Sequence, residues 1–205
     1  MSHLTNFFRN YPVFFFGIIS ALICCILLNM EFFKIISSPL VSNPDSFDIL
    51  GYYSDSIRLF PGIIYALSSL VGINKLLKKK FGLRILYFLS ISILYYVITF
   101  ISIASLFDSV LPGLGIVVSS TLGGICLIFL TTLIFKLKIQ SRHIIISFIT
   151  GLLLGFMMLF FLEIKNSVFE FFGLTTVFLL WQPSFAFIQN VVIRQSNHNT
   201  SFTTL

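Results

Sequence analysis

Apolar runs about one bilayer thick alternate with short polar segments along the whole chain. They cover residues 11–30, 57–73, 85–107, 111–135, 144–162 and 171–193. An α-helix rises 1.5 Å per residue, so about 20 apolar residues cross the roughly 30 Å hydrocarbon core. The pattern predicts an all-α fold: a polytopic transmembrane bundle of six spans in one domain, 1–193, with a disordered cytoplasmic tail, 194–205. Arg9 gives the first run the look of a signal peptide, but it ends in CCILLNMEFF without a small-residue cleavage site. It therefore reads as an uncleaved span. The second span is short, carries Pro61 in its first turns, where proline is tolerated, and extends toward the basic segment that follows.

Charge orients the bundle. The stretch Asn74–Arg84, NKLLKKKFGLR, holds Lys75, Lys78, Lys79, Lys80 and Arg84 between two apolar runs. Basic clusters beside spans stay in the cytoplasm. Alternating the loops then puts ten of the thirteen Lys/Arg residues inside, leaving Lys34, Arg58 and Lys165 outside with all seven acids. Both termini are predicted to be cytoplasmic, and the membrane is read as the plasma membrane. Lys75, Lys78, Lys79 and Lys80 are candidates for contact with anionic lipid headgroups.

Composition agrees. Hydrophobic residues make up 57% of the chain and charged residues 10%, with a mean hydropathy of +1.02. Soluble chains carry roughly 25% charged residues. The net charge of +6 follows from the inward basic bias, so lipids rather than nucleic acid are the expected partners. Cys24, Cys25 and Cys126 lie in apolar runs without metal or disulfide spacing and read as small apolar residues. No cofactor or metal is expected.

Lipid tails are as apolar as leucine, so spans associate through close backbone approach and polar side chains. Small residues recur every fourth position at Gly17, Ala21 and Cys25, at Gly115, Ser119 and Gly123, and at Ser147, Gly151 and Gly155. The fourth and fifth spans are predicted to form an antiparallel pair along their small faces. The first span's face packs within the bundle, or alternatively against a membrane-protein partner or a second copy. The third span presents Ser92, Tyr95, Tyr96, Thr99 and Ser102 on one helical face, and the sixth repeats Thr175, Gln182 and Gln189 with Asn190 beside the last. Amides are costly in hydrocarbon, so both stripes are predicted to turn inward, toward each other.

Trp181, Gln182 and Pro183 interrupt the middle of the sixth span. Tryptophan usually sits at the membrane interface, and proline frees the carbonyl one turn earlier. Transporters place substrates at broken mid-membrane helices. The functional reading is a pocket for a small uncharged or aromatic ligand, built from Trp181, Gln182, Pro183, Thr175, Tyr95 and Tyr96. The packing reading is a kink whose amide bonds a neighbouring helix.

No ionisable residue lies deep in any predicted span, which argues against proton relays, ion-coupled carriers and charged-ring channels. His3, His143 and His198 fall outside the spans, and no hydrolase or metalloprotease motif occurs. The spacing of Asp45, Asp48, Gly51 and Asp55 is faintly similar to the acidic motif of CDP-alcohol phosphotransferases, but the glycine is displaced and the following Ala-Arg is missing. Residues 43–53 read instead as a short interfacial helix, with divalent-cation binding by Asp45 and Asp48 as the weaker alternative. In size, span count and the long loop after the first span, the chain is similar to the substrate-binding S components of energy-coupling-factor vitamin transporters. That likeness implies a solute-binding module that meets a partner through small-residue faces. The two functions expected are thus a small-solute binding or transport module and, alternatively, a non-catalytic accessory or scaffold protein.

Overall fold

The computed structural model describes residues 2–36, 47–77, 80–106, 113–163 and 167–201, with side chains for 6–27, 60–77, 80–102, 113–160 and 178–196. The described structure is all-helical: α1 (Ser2–Asn10), α2 (Pro12–Ile36), α3 (Phe47–Leu76), α4 (Phe81–Leu106), α5 (Leu114–Phe135), α6 (Ser141–Glu163) and α7 (Ser167–Ser201). Three stretches, Phe81–Ser102, Leu114–Phe135 and Ser141–Phe160, are long and apolar enough to cross a membrane. Pro12–Leu27 and Phe60–Leu76 are shorter apolar helical stretches. The chain is a helical membrane protein.

Two expectations are corrected. No separate interfacial helix spans 43–53, because α3 starts at Phe47 and runs unbroken to Leu76. The basic loop is shorter than the stretch 74–84: Lys75 lies in the last turn of α3 and Arg84 belongs to α4, while Lys78 and Lys79 fall outside the described residues. Helix α7 continues past Arg194 to Ser201.

Contacts between neighbours fix an up-and-down ring. Gly72 of α3 abuts Val13 of α2, and Ile64 packs on the cluster of Cys24, Cys25 and Phe178. Gly62 meets Tyr95 while Ser69 meets Tyr87. Ile98 touches Gly123, and the Tyr87 ring lies tilted against Phe135. Gly151 faces Thr121 and Gly155 faces Val117. In every pair one number rises as the other falls, so successive helices are antiparallel. Helix α7 closes the ring against α2, with Gly17 on Ala186 and Val13 on Asn190, and also touches α3 and α5. Alternation gathers every described Lys and Arg side chain (Arg9, Lys75, Lys80, Arg84, Lys136, Lys138, Arg142 and Arg194) at one end.

The antiparallel α5–α6 pair forms as expected, but on a different face of α5. A Cβ on Gly151 would lie 2.6 Å from the Thr121 Cα, and one on Gly155 would lie 2.7 Å from the Val117 Cα. The strip Val117–Ser120–Thr121 therefore receives α6. Ser119 and Gly123 look the other way, onto Ser102 and Ile98 of α4, and Gly115 is half-buried. Ser147 is buried and spends its hydroxyl on the His143 carbonyl. On α2, Gly17 and Ala21 are buried, with Gly17 pressed against α7, so that face is occupied within the chain.

Candidate functional site

Helix α7 carries the buried side-chain amides of the described core, Gln182, Gln189 and Asn190. Gln189 lies at the centre of a completed network: its Oε1 accepts from the Tyr65 hydroxyl at 2.8 Å, and its Nε2 donates to Thr131 Oγ1 at 2.7 Å and to Tyr87 at 3.0 Å. Ser69 Oγ lies 3.0 Å from the Tyr87 hydroxyl. Four helices (α3, α4, α5 and α7) thus contribute to one fully buried hydrogen-bonded cluster. Asn190 works beside it. Its Oδ1 accepts the first free N–H of α2, from Val13, at 3.1 Å, and its Nδ2 donates to the Asn10 carbonyl at 3.1 Å. Asn190 therefore fastens the α1–α2 junction from across the bundle, serving backbone groups on both sides of Pro12.

Two turns earlier the same face is different. Gln182 is fully buried, yet its Nε2 finds only the weak acceptor Cys24 Sγ at 3.6 Å, and its Oε1 receives no donor. The Tyr95 hydroxyl and Ser20 Oγ, both buried, are likewise without a hydrogen-bond partner, as is Ser92 Oγ one turn before Tyr95. The Tyr95 hydroxyl and the Gln182 amide lie near each other without forming a well-shaped hydrogen bond. Aromatic rings wall this spot: Trp181 lies 5.2 Å from Tyr95 and 4.5 Å from Phe185, and Tyr65 lies 5.2 Å from Tyr95. The indole N–H points away, to the Ser120 carbonyl at 3.4 Å.

The structure therefore brings together Trp181, Gln182 and Tyr95 of the predicted pocket. Tyr96 is excluded: it is 42% exposed, on the outward face of α4. Pro183 is also turned away. It lines a cleft of about 650 Å³ on the opposite side of α7, with Ser184, Phe187 and His143. The side chain of Thr175 lies outside those described, as do those of Asp45 and Asp48. Ser20, Cys24 and Tyr65 were not expected in the site. The first two stand one turn apart on a small-residue span that reads as packing, and Tyr65 follows Pro61 in a run without an evident polar stripe.

His143 is buried despite its place at the start of α6. Its Nδ1 accepts from the Gln140 N–H at 3.3 Å, which assigns the ring proton to Nε2, 2.8 Å from Gln195 Oε1. Among the described residues no three His, Cys, Asp or Glu side chains gather in one place. No family model, curated protein or solved structure matches the chain.

Proposed function

We propose that this chain is a six-span protein of the plasma membrane, with both termini in the cytoplasm, that binds a small uncharged polar solute at mid-membrane as a transport or binding module. The observation that carries this reading is the set of unpartnered groups around Gln182. Unmet polar atoms in a membrane interior cost free energy, and buried polar groups are nearly always hydrogen-bonded. Seven residues away, Gln189 shows that this bundle can satisfy an amide completely. A solute with one donor and one acceptor would complete Gln182 Oε1 and the Tyr95 and Ser20 hydroxyls, while Trp181, Tyr65 and Phe185 pack its apolar part. An uncharged solute fits because, among the described residues, no Asp, Glu, Lys, Arg or His side chain faces the spot to balance a charge.

The gathering of the described basic side chains at one end supports the orientation, since such clusters stay in the cytoplasm. The accessory-protein alternative has less to rest on, because the small faces of α2 and α6 are filled by α7 and α5. The test is thermal unfolding of purified protein across a panel of uncharged sugars, vitamins and amides. A solute at about 100 times its dissociation constant stabilises by about 2.7 kcal/mol. Gln182→Leu is expected to abolish that gain while leaving the unliganded protein folded. No stabilisation by any solute would refute the pocket.

A further inference from the structure

The cleft on the outer side of α7 lies apart from the Gln182 spot, and its shape and surroundings favour a different ligand. Phe7, Phe14, Ile146, Leu179, Phe187 and Val191 make most of its wall, relieved by His143, Thr150 and Ser184. Phe7, Ile146, Leu179 and Phe187 are each more than a third exposed, so the cleft opens sideways to lipid rather than into the bundle. Along α7 it runs from Leu179 to Val191. At 1.5 Å per residue that is about 18 Å, close to the roughly 15 Å hydrocarbon depth of one leaflet.

One end of this cleft is strongly basic. Arg142 adjoins His143 and donates from Nη2 to Gln195 Oε1 at 2.8 Å. Arg194 donates from Nη1 to the Asn10 carbonyl at 3.2 Å and lies over the Tyr11 ring, which stacks on Phe187 in the cleft wall. Each guanidinium keeps further N–H donors. The segments that build this end, 2–14, 136–150 and 183–201, contain no Asp or Glu, but do contain Arg9, Lys136, Lys138, Arg142 and Arg194. A positive-inside bias explains the number of cations. It does not explain two arginines braced at the mouth of an apolar slot one leaflet deep.

We propose that this cleft holds an acyl chain of one anionic glycerophospholipid whose phosphate is gripped by Arg142 and Arg194. Charge complementarity selects the anionic headgroup, and the exposed aromatic rim admits the chain laterally. Basic pockets between membrane helices on the cytoplasmic side bind such headgroups.

The test uses delipidated protein in mild detergent, with phosphatidylglycerol or phosphatidylcholine added at equal concentration and read by native mass spectrometry and thermal unfolding. The expected result is one retained phosphatidylglycerol, bound roughly tenfold or more tighter than phosphatidylcholine, with the preference lost in Arg142→Gln/Arg194→Gln. Ser184→Phe, which fills the slot, is expected to displace either lipid while the charge pair stays intact. If either variant elutes misfolded, the parent still decides: its preference must collapse in high salt. Equal binding of the two lipids, a preference unchanged by salt or by the arginine variant, or equal stabilisation by inorganic phosphate alone would overturn the assignment.

Discussion

Gln182 and Gln189 occupy one face of α7 under opposite conditions, and their substitutions should behave oppositely. Gln189→Leu removes three hydrogen bonds and leaves the buried Tyr65 hydroxyl without its acceptor, while Tyr87 keeps Ser69 and Thr131 keeps the Leu127 carbonyl. Interhelical hydrogen bonds in membranes are worth about 0.6–2 kcal/mol each, so a loss of about 2 kcal/mol or more is expected in reversible unfolding. Gln182→Leu removes a weak sulfur contact and an unmet carbonyl, so the unliganded melting temperature should stay level or rise. A smaller effect is expected at Lys136, which holds φ 54° and ψ 50° at the end of α5. There Lys136 N–H bonds the Leu133 carbonyl at 3.3 Å and Leu137 N–H bonds Thr132 at 2.8 Å, a helix stop that glycine fills without strain. Lys136→Gly should therefore stabilise by about 1 kcal/mol, measured by the same unfolding. A drop in stability would mean that the lysine makes a contact outweighing its backbone.

Helix pairing rests on where glycines meet backbone. Gly151→Val and Gly155→Val would drive side chains into Thr121 and Val117 main chain and should separate α6 from α5, whereas Gly123→Ala meets only the movable tip of Ile98. Gly82→Ala meets nothing within 4 Å and should be neutral or mildly stabilising, since alanine is the better helix former. Equal losses from Gly151→Val and Gly123→Ala would contradict this packing. These faces also show the reach of sequence reading. Spacing of four identified the α6 strip correctly, because Ser147, Gly151 and Gly155 are its only small residues at that period. On α5 the same rule chose Ser119 and Gly123, yet Ser120, Thr121 and Gly124 form a neighbouring strip equally small, and periodicity alone cannot rank two faces. The inward turn of Gln182, Gln189 and Tyr95 was legible, since hydrocarbon forces amides inside. The loss of Tyr96 and Pro183 from the site was not: adjacent helical positions differ by about 100°, and a stripe defined by type cannot resolve that step.

At the level of the bundle, the account joins a closed, hydrogen-bonded half near the basic end to an unsatisfied spot nearer the middle. Asn190, Arg194 and the Lys138 N–H bond to Ser196 at 3.1 Å tie the end of α7 to α1, α2 and the α5–α6 turn. The proposed orientation is open to direct check. Single cysteines placed at Lys80, Lys136 and Arg194 in a cysteine-free background should be labelled by an impermeant maleimide only from the cytoplasmic face. Labelling of any of them from outside would reverse or break the topology. The most direct test of the central claim uses Trp181, the only tryptophan in the chain and a wall of the spot beside Gln182. Its fluorescence should change saturably on titration with the right uncharged solute, and the change should vanish in a folded Gln182→Leu protein. A flat emission across the panel, or a response that Gln182→Leu leaves intact, would contradict the account.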